Sequence, residues 1–206
     1  MSRYKRLTEE YRNKKTAIKE RLEEFKNIGK KKKDEIFSEL CFCLLTPQSN
    51  ARHCDKAIQE LKERGLLLKG NAASIRNILK GKARFHNKKA EYIVGARACF
   101  DKSIFECGNA IKIRDLLVSQ IKGLGYKEAS HFLRNIGMGQ DIAILDRHIL
   151  KNLKRYGAID NIPASLTPRL YLNIEERAKA FAKRIKIPLA ELDLLFWQKE
   201  TGQIFK

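Results

Sequence analysis

The chain has 206 residues, 43% of them hydrophobic, which is enough for one or two modest cores in one compact unit or two small lobes. Its longest clear apolar run, LCFCLL at 40–45, falls far short of the roughly 18 residues a membrane span needs, and the charged start MSRYKRLTEEYRNKK does not read as a signal peptide. A formal charge of +19, from 43 Lys and Arg against 24 Asp and Glu, points to a polyanionic partner, although a Lys/Glu-rich surface built for solubility or heat would carry the same sign.

In chain order almost everything reads as helix. From Tyr4 to Phe25 the apolar residues Leu7, Tyr11, Ile18, Leu22 and Phe25 recur near a 3.6-residue period. GKKKKDE at 29–35 reads as a solvated junction, and Asp34 to Leu45 as an apolar helix. TPQSN then breaks the chain, and Asn50 is placed to cap a helix running to Leu61, ahead of Gly65. Shorter helices are expected around Ala73–Leu79, Lys88–Phe100 and Ile111–Ile121. Thr167 before Pro168 is an N-cap with proline at the first helical position, for a helix to about Ile185. Pro188 starts a last helix carrying Leu192, Leu195, Phe196 and Trp197. No β pattern, repeat or low-complexity tract interrupts this, so the expected fold class is all-α. The five cysteines (Cys41, Cys43, Cys54, Cys99 and Cys107) have no pairing rhythm, as in a reduced intracellular protein.

The segment KGLGYKEASHFLRNIGMGQDIAILDRHIL, 122–150, carries the chemistry. Ile111–Ile121 and Lys127–Ile136, the latter closed by Gly137, are two helices joined by Gly123-Leu124-Gly125, a tight turn that needs backbone freedom near φ > 0. Such a turn exposes backbone N–H groups at the start of the second helix, where the dipole favours an anion such as a phosphate. Lys122 adds a charge beside it. Lys127 sits in the first turn of that helix, a place that disfavours its ammonium form, and a neutral amine is a nucleophile able to form a Schiff base. Asp146 follows 19 residues later, ahead of a helix to Tyr156. On spacing alone Asp146 could be only an N-cap, and the glycines only an αα-turn.

These residues resemble the helix–hairpin–helix DNA glycosylase superfamily. G-L-G-Y-K-E-A followed by A-I-L-D-R-H-I is similar to its signature: a glycine-rich hairpin, a lysine two residues on, and an aspartate about 18 or 19 residues further. LLTPQSNARHCDKA at 44–57 resembles the segment that fills the gap left by a flipped base. ARFHNKKAEYI at 83–93 resembles the wedge turn ending in N-x-K-A. The resemblance covers roughly 35–155. It implies two helical lobes with the site in the cleft between them: a central lobe at about 34–140 containing the hairpin at 111–137, and a second lobe from 1–30 and 145–206.

The resemblance also implies base excision from duplex DNA, in which a damaged nucleotide is flipped out and its glycosidic bond cut. Lys127 would attack C1′ and support β-elimination as an abasic-site lyase. Asp146 would help deprotonate it and stabilise the charge developing on the sugar. Phe85 would be the wedge, and Gln48, Ser49 or Asn50 would occupy the vacated space. Read from the residues alone, Phe85 could be core and 48–50 merely a helix start. Among family members, the compact archaeal-type 8-oxoguanine glycosylases are most similar. Two other readings stand beside that one: a glycosylase for oxidised pyrimidines or another lesion, and a non-catalytic DNA-binding hairpin module.

The sequence departs from relatives in having Lys122 where many have proline. No cysteine follows Cys107, which excludes the C-terminal iron–sulfur cluster of some relatives. The four histidines have no zinc spacing, so no catalytic metal is expected. As in relatives, the main-chain carbonyls of the hairpin are candidates for holding a monovalent cation. A cytoplasmic, nucleoid-associated monomer is expected. For the base pocket, Trp197, which on sequence alone could equally be core, is expected to stack on the lesion, and a carbonyl or the terminal carboxylate of Lys206 to accept from the purine edge.

Overall fold

A computed structural model describes residues 3–206; the first two residues of the expected 1–30 segment lie outside the described residues. The helices are α1 (Arg3–Gly29), α2 (Lys33–Leu45), α3 (Ala51–Glu63), α4 (Leu66–Lys69), α5 (Ala72–Leu79), α6 (His86–Cys99), α7 (Ala110–Gln120), α8 (Tyr126–Asn135), α9 (Arg147–Arg155), α10 (Pro168–Ile185) and α11 (Leu189–Thr201). Among the described residues there is no strand, and the fold is all-α.

Local chemistry sets the boundaries. The side chains of Asn50, Asn71, Asn109, Asp146 and Thr167 each accept the backbone N–H three residues on, so a donor that the helix leaves unpaired is satisfied at each start. Two elements were not expected from the sequence. The single turn of α4 starts at Gly65 in the left-handed region (φ 65°), and a 3₁₀ turn spans Lys102–Glu106. Both are too short to show a period.

The apolar side chains collect in two clusters. The first runs from Ile36 to Ile142 and centres on α2, whose residues from Ile36 to Leu45 are all buried; α3, α6 and α8 pack against it. The second combines Leu7, Tyr11, Ile18 and Phe25 of α1 with residues from Ala143 to Phe196. The chain passes between the clusters at Ile142–Ala143, and the partly buried Ile28 near the end of α1 packs against both.

Buried polar groups tie the two clusters together. Arg114 of α7 is fully buried and makes a bidentate pair with Glu175 of α10, Nη1 to Oε1 at 2.6 Å and Nη2 to Oε2 at 2.9 Å. Glu175 Oε1 also accepts the Ala143 N–H at 2.7 Å. Tyr171 donates to the Ala143 carbonyl at 2.6 Å, and its hydroxyl accepts the Leu145 N–H at 3.3 Å. The irregular stretch 142–145 leading to Asp146 is therefore held by side chains of α10 rather than by a sheet.

Candidate active site

The hairpin between α7 and α8 uses its two glycines differently. Gly123 has φ 90°, and a Cβ there would lie 2.3 Å from the Tyr92 ring, so both conformation and space require glycine. Gly125 is extended, with φ −93° and ψ 179°. The expected positive φ is found at Gly123 alone: a single left-handed residue reverses the chain, and Gly125 serves as the N-cap of α8. A side chain there would press on the Glu128 carboxylate, 3.0 Å from the Cβ position.

Lys127, in the first turn of α8, is partly buried, and its Nζ lies 3.3 Å from Glu128 Oε1. Glu128 supplies the negative charge that a helix start favours, so the lysine is less isolated than its position alone implies. Asp146 caps α9 through Oδ1, which accepts the Ile149 N–H at 2.8 Å. The cap fixes the carboxylate, and that fixed carboxylate faces the same cleft as Lys127.

This cleft has a volume of about 910 Å³ and lies where the two apolar clusters meet. Of the residues singled out in the sequence, Gln48, Ser49, Lys127, Asp146, Trp197 and Lys206 line it. Lys122, Gly123 and Gly125 lie on the hairpin, outside the lining. Asn50 is also outside and caps α3 by accepting the His53 N–H at 3.2 Å. Phe85 is 57% exposed, so it is not a core residue. It sits at φ 57° ahead of α6, next to Arg84, which does line the cleft. Trp197 is partly buried and meets the His148 ring edge-on, with centroids 5.2 Å apart.

The tail folds back onto the first cluster. Lys206 Nζ reaches Asp55 at 2.8 Å and Glu39 at 3.2 Å, and lies 4.8 Å from the centre of the Phe42 ring. Burial alone would lower the pKa of this amine; Glu39 and Asp55 outweigh it and raise the value. Phe205 packs edge-on against Phe42, and Arg52 binds Gln203.

Sequence reading missed several lining residues. His131 and Arg134 fall four and seven positions after Lys127, on the same face of α8, so a helical projection from the lysine would have found them. Burial, then Arg134, Lys127 and Lys206, hold the pKa of His131 well below its usual value, so the ring is neutral; the Lys206 backbone acts weakly the other way. Asp193 lies one helical turn before Trp197 and 3.6 Å from Arg134. Its burial pushes its pKa up to about 6, against the pull of Arg134.

This arrangement supplies a primary amine, a rigid carboxylate, an aromatic face and a basic rim around a cavity that could admit a nucleobase. Comparison with known proteins identifies the family. A family model described as 8-oxoguanine DNA glycosylase matches residues 18–187. The 8-oxoguanine DNA glycosylase/AP lyase of Fusobacterium nucleatum is 45% identical, the match covering 95% of this chain and 94% of that protein. The protein of the same name from Methanocaldococcus jannaschii is 42% identical over 93% of each chain. A crystal structure of the M. jannaschii enzyme in complex with a 15mer DNA containing 8-oxoguanine superposes with a TM-score of 0.90 at 40% identity, covering 98% of both chains. The Thermotoga maritima 8-oxoguanine DNA glycosylase gives 0.90 at 33% identity, again over 98% of both. With its hairpin lysine and capping aspartate set on one cleft, the chain belongs to the 8-oxoguanine DNA glycosylase family.

Proposed function

We propose that the protein excises 8-oxoguanine from duplex DNA and cleaves the resulting abasic strand, with Lys127 as nucleophile. The observation that carries this is the placement of Lys127 and Asp146 on one cleft, roomy enough for a flipped nucleotide, beside Trp197. The hairpin amides at the start of α8, with Lys122, hold a phosphate of the damaged strand. Phe85 enters the duplex beside the lesion, and the 48–50 loop takes up the vacated space.

Chemistry then follows from the residues. Lys127 gives up a proton with the help of Asp146 and attacks C1′ of the flipped nucleoside. The C1′–N9 bond breaks with its electron pair leaving on the purine, which takes a proton. The sugar ring opens to an iminium, loss of a C2′ proton expels the 3′ phosphate, and water hydrolyses the iminium to free Lys127. The Asp146 carboxylate stabilises the positive charge on the sugar as the bond to the base breaks. Trp197 stacks on the base, and the main-chain carbonyl of Lys206 accepts from the purine edge. An 8-oxoguanine differs there from guanine by its N7–H donor; guanine would set two lone pairs against each other.

The reaction runs without an iron–sulfur cluster, since Cys41, Cys43 and Cys54 lie in the interior and no cysteine follows Cys107. The hairpin carbonyls are the seat for a monovalent cation. That of Ile121 accepts the Leu124 N–H at 3.2 Å and, having two lone pairs, retains one for a cation. Among the described residues no helix is long and apolar enough to cross a membrane. The protein acts as a monomer, in the cytoplasm at the nucleoid. Borohydride trapping on an 8-oxoguanine duplex tests the assignment. Lys127→Gln should abolish the trapped adduct and strand cleavage while retaining binding to the damaged duplex. Undiminished trapping by that variant would refute Lys127 as the nucleophile.

A further inference from the structure

Lys89 is buried to 3% exposure in the first turns of α6, and its ammonium is bound by neutral groups. Nζ donates to the Leu45 carbonyl at 2.7 Å, to the Pro47 carbonyl at 2.7 Å and to Ser49 Oγ at 2.9 Å. Burial pushes its pKa down to about 8. Holding a cation inside a protein without a paired carboxylate is costly, and a packed apolar side chain would be the cheaper structural choice. The charge is therefore informative.

Of the three acceptors, Leu45 ends α2, and Pro47 and Ser49 lie on the loop that carries Gln48. The backbone N–H of Lys89 donates to the Phe85 carbonyl at 3.0 Å, the hydrogen bond that opens α6 and ties the lysine to the Phe85 turn. Ser49 closes the circuit: its hydroxyl donates to Pro47 O and accepts both Lys89 Nζ and the Arg84 N–H, which saturates the oxygen. One lysine thus binds both elements placed to enter the duplex. Gln48 (φ 53°) and Phe85 (φ 57°) are two of the three non-glycine residues with positive φ among the described residues. Such strain persists only where surrounding contacts over-determine it.

We propose that Lys89 is a positioning residue that locks the Phe85 turn and the Gln48 loop into one rigid body, so that wedging and filling of the vacated space occur as a single movement. The inference rests on the excision reading above and concerns extrusion of the base, not bond cleavage. Without the staple, Phe85 and Gln48 relax out of their strained conformations and enter the duplex separately.

The test uses Lys89→Met, which keeps the length and burial of the side chain but has no donor. Single-turnover excision from an 8-oxoguanine duplex should fall about tenfold or more. The fluorescence rise of 2-aminopurine placed next to the lesion should shrink with it. Cleavage of a preformed abasic site in single-stranded DNA, and trapping on it, should stay within about twofold, because no base need be extruded there. Trapping of the wild-type chain on that single strand, and its loss in Lys127→Gln, reports the Lys127 reading independently, so failures of the two proposals are distinguishable. Ser49→Ala supplies a second route that removes one hydroxyl from the same node. It should show the same selective loss and add little to Lys89→Met in the double variant. Wild-type duplex excision by Lys89→Met, equal losses on duplex and single strand, or additive effects of the two substitutions would each overturn the proposal.

Discussion

Replacing Glu175 with leucine would strand Arg114 at the junction of the two apolar clusters. The guanidinium lies 5.1 Å from the centre of the Tyr126 ring and 5.8 Å from that of Tyr171, and its remaining partner would be Ser130 Oγ at 3.2 Å. Burial acts to lower the arginine's pKa, and Glu175, followed by Tyr171 and Asp115, more than reverses it. Removing one partner of a buried ion pair costs about 3–5 kcal/mol. The orphaned Ala143 N–H adds a cost of the order of 1–3 kcal/mol. For a chain of this size each kcal/mol lowers the melting temperature by about 2–4 °C, so a drop of at least roughly 8 °C is expected. Urea unfolding followed by circular dichroism measures the loss directly. The double variant Arg114→Met/Glu175→Leu removes both charges and should recover most of it, leaving mainly the orphaned N–H. A loss below about 1 kcal/mol for the single variant, or a double variant as damaged as the single, would refute the reasoning.

Three further outcomes are expected. Asp146→Asn can still cap α9, so its melting temperature should move little while 8-oxoguanine turnover falls by about 10²-fold or more; a near-normal rate would reduce Asp146 to a helix cap. Phe85→Ala exposes no core and should leave stability within about 0.5 kcal/mol, while excision from duplex slows more than cleavage of a preformed abasic site; equal loss on the two substrates would argue against a wedge. Asp193 has its folded-state pKa raised to about 6, chiefly by burial, so its protonated form favours folding at low pH and this contribution fades as pH rises through that value. The stability of wild type relative to Asp193→Asn should therefore decline between about pH 4 and 7, and a flat or rising difference would contradict the assignment.

The parts of the molecule that depend on near neighbours in the chain were legible in the sequence. Asn50, Asp146 and Thr167 announce helix starts because a cap needs only a short polar side chain three residues before its target. The period of Leu7, Tyr11, Ile18 and Phe25 exposes the buried face of α1 in the same way. The resemblance located Phe85 on the wedge turn, where the structure shows an exposed ring. What could not be read depends on distance in sequence. Arg114 and Glu175 are 61 residues apart, and nothing local marks either as a partner. Lys89 lies in a run of lysines and looks like one more surface charge until α6 is packed onto the end of α2. Asp193 sits among apolar residues of α11 and gains meaning only when that helix turns toward Asp146. The glycines show a finer limit: two identical residues flank Leu124, but only Gly123 is driven past the Tyr92 ring into the left-handed region.

The division of the interior between two clusters puts the proposed reacting groups on opposite sides of a boundary. Lys127 rises from α8, whose Ala129, Phe132 and Leu133 belong to the first cluster, whereas Asp146 is flanked by Leu145 and Ile149 of the second. The gap between amine and carboxylate is therefore not a property of either hydrophobic interior. It is set by how the two halves seat on one another, as an interface distance is set between subunits. Excision rate then becomes a ruler for that seating. Substitutions far from the cleft, along α1 or α10, can detune chemistry without touching a reacting group, and mild denaturant can silence the enzyme while its helices remain intact.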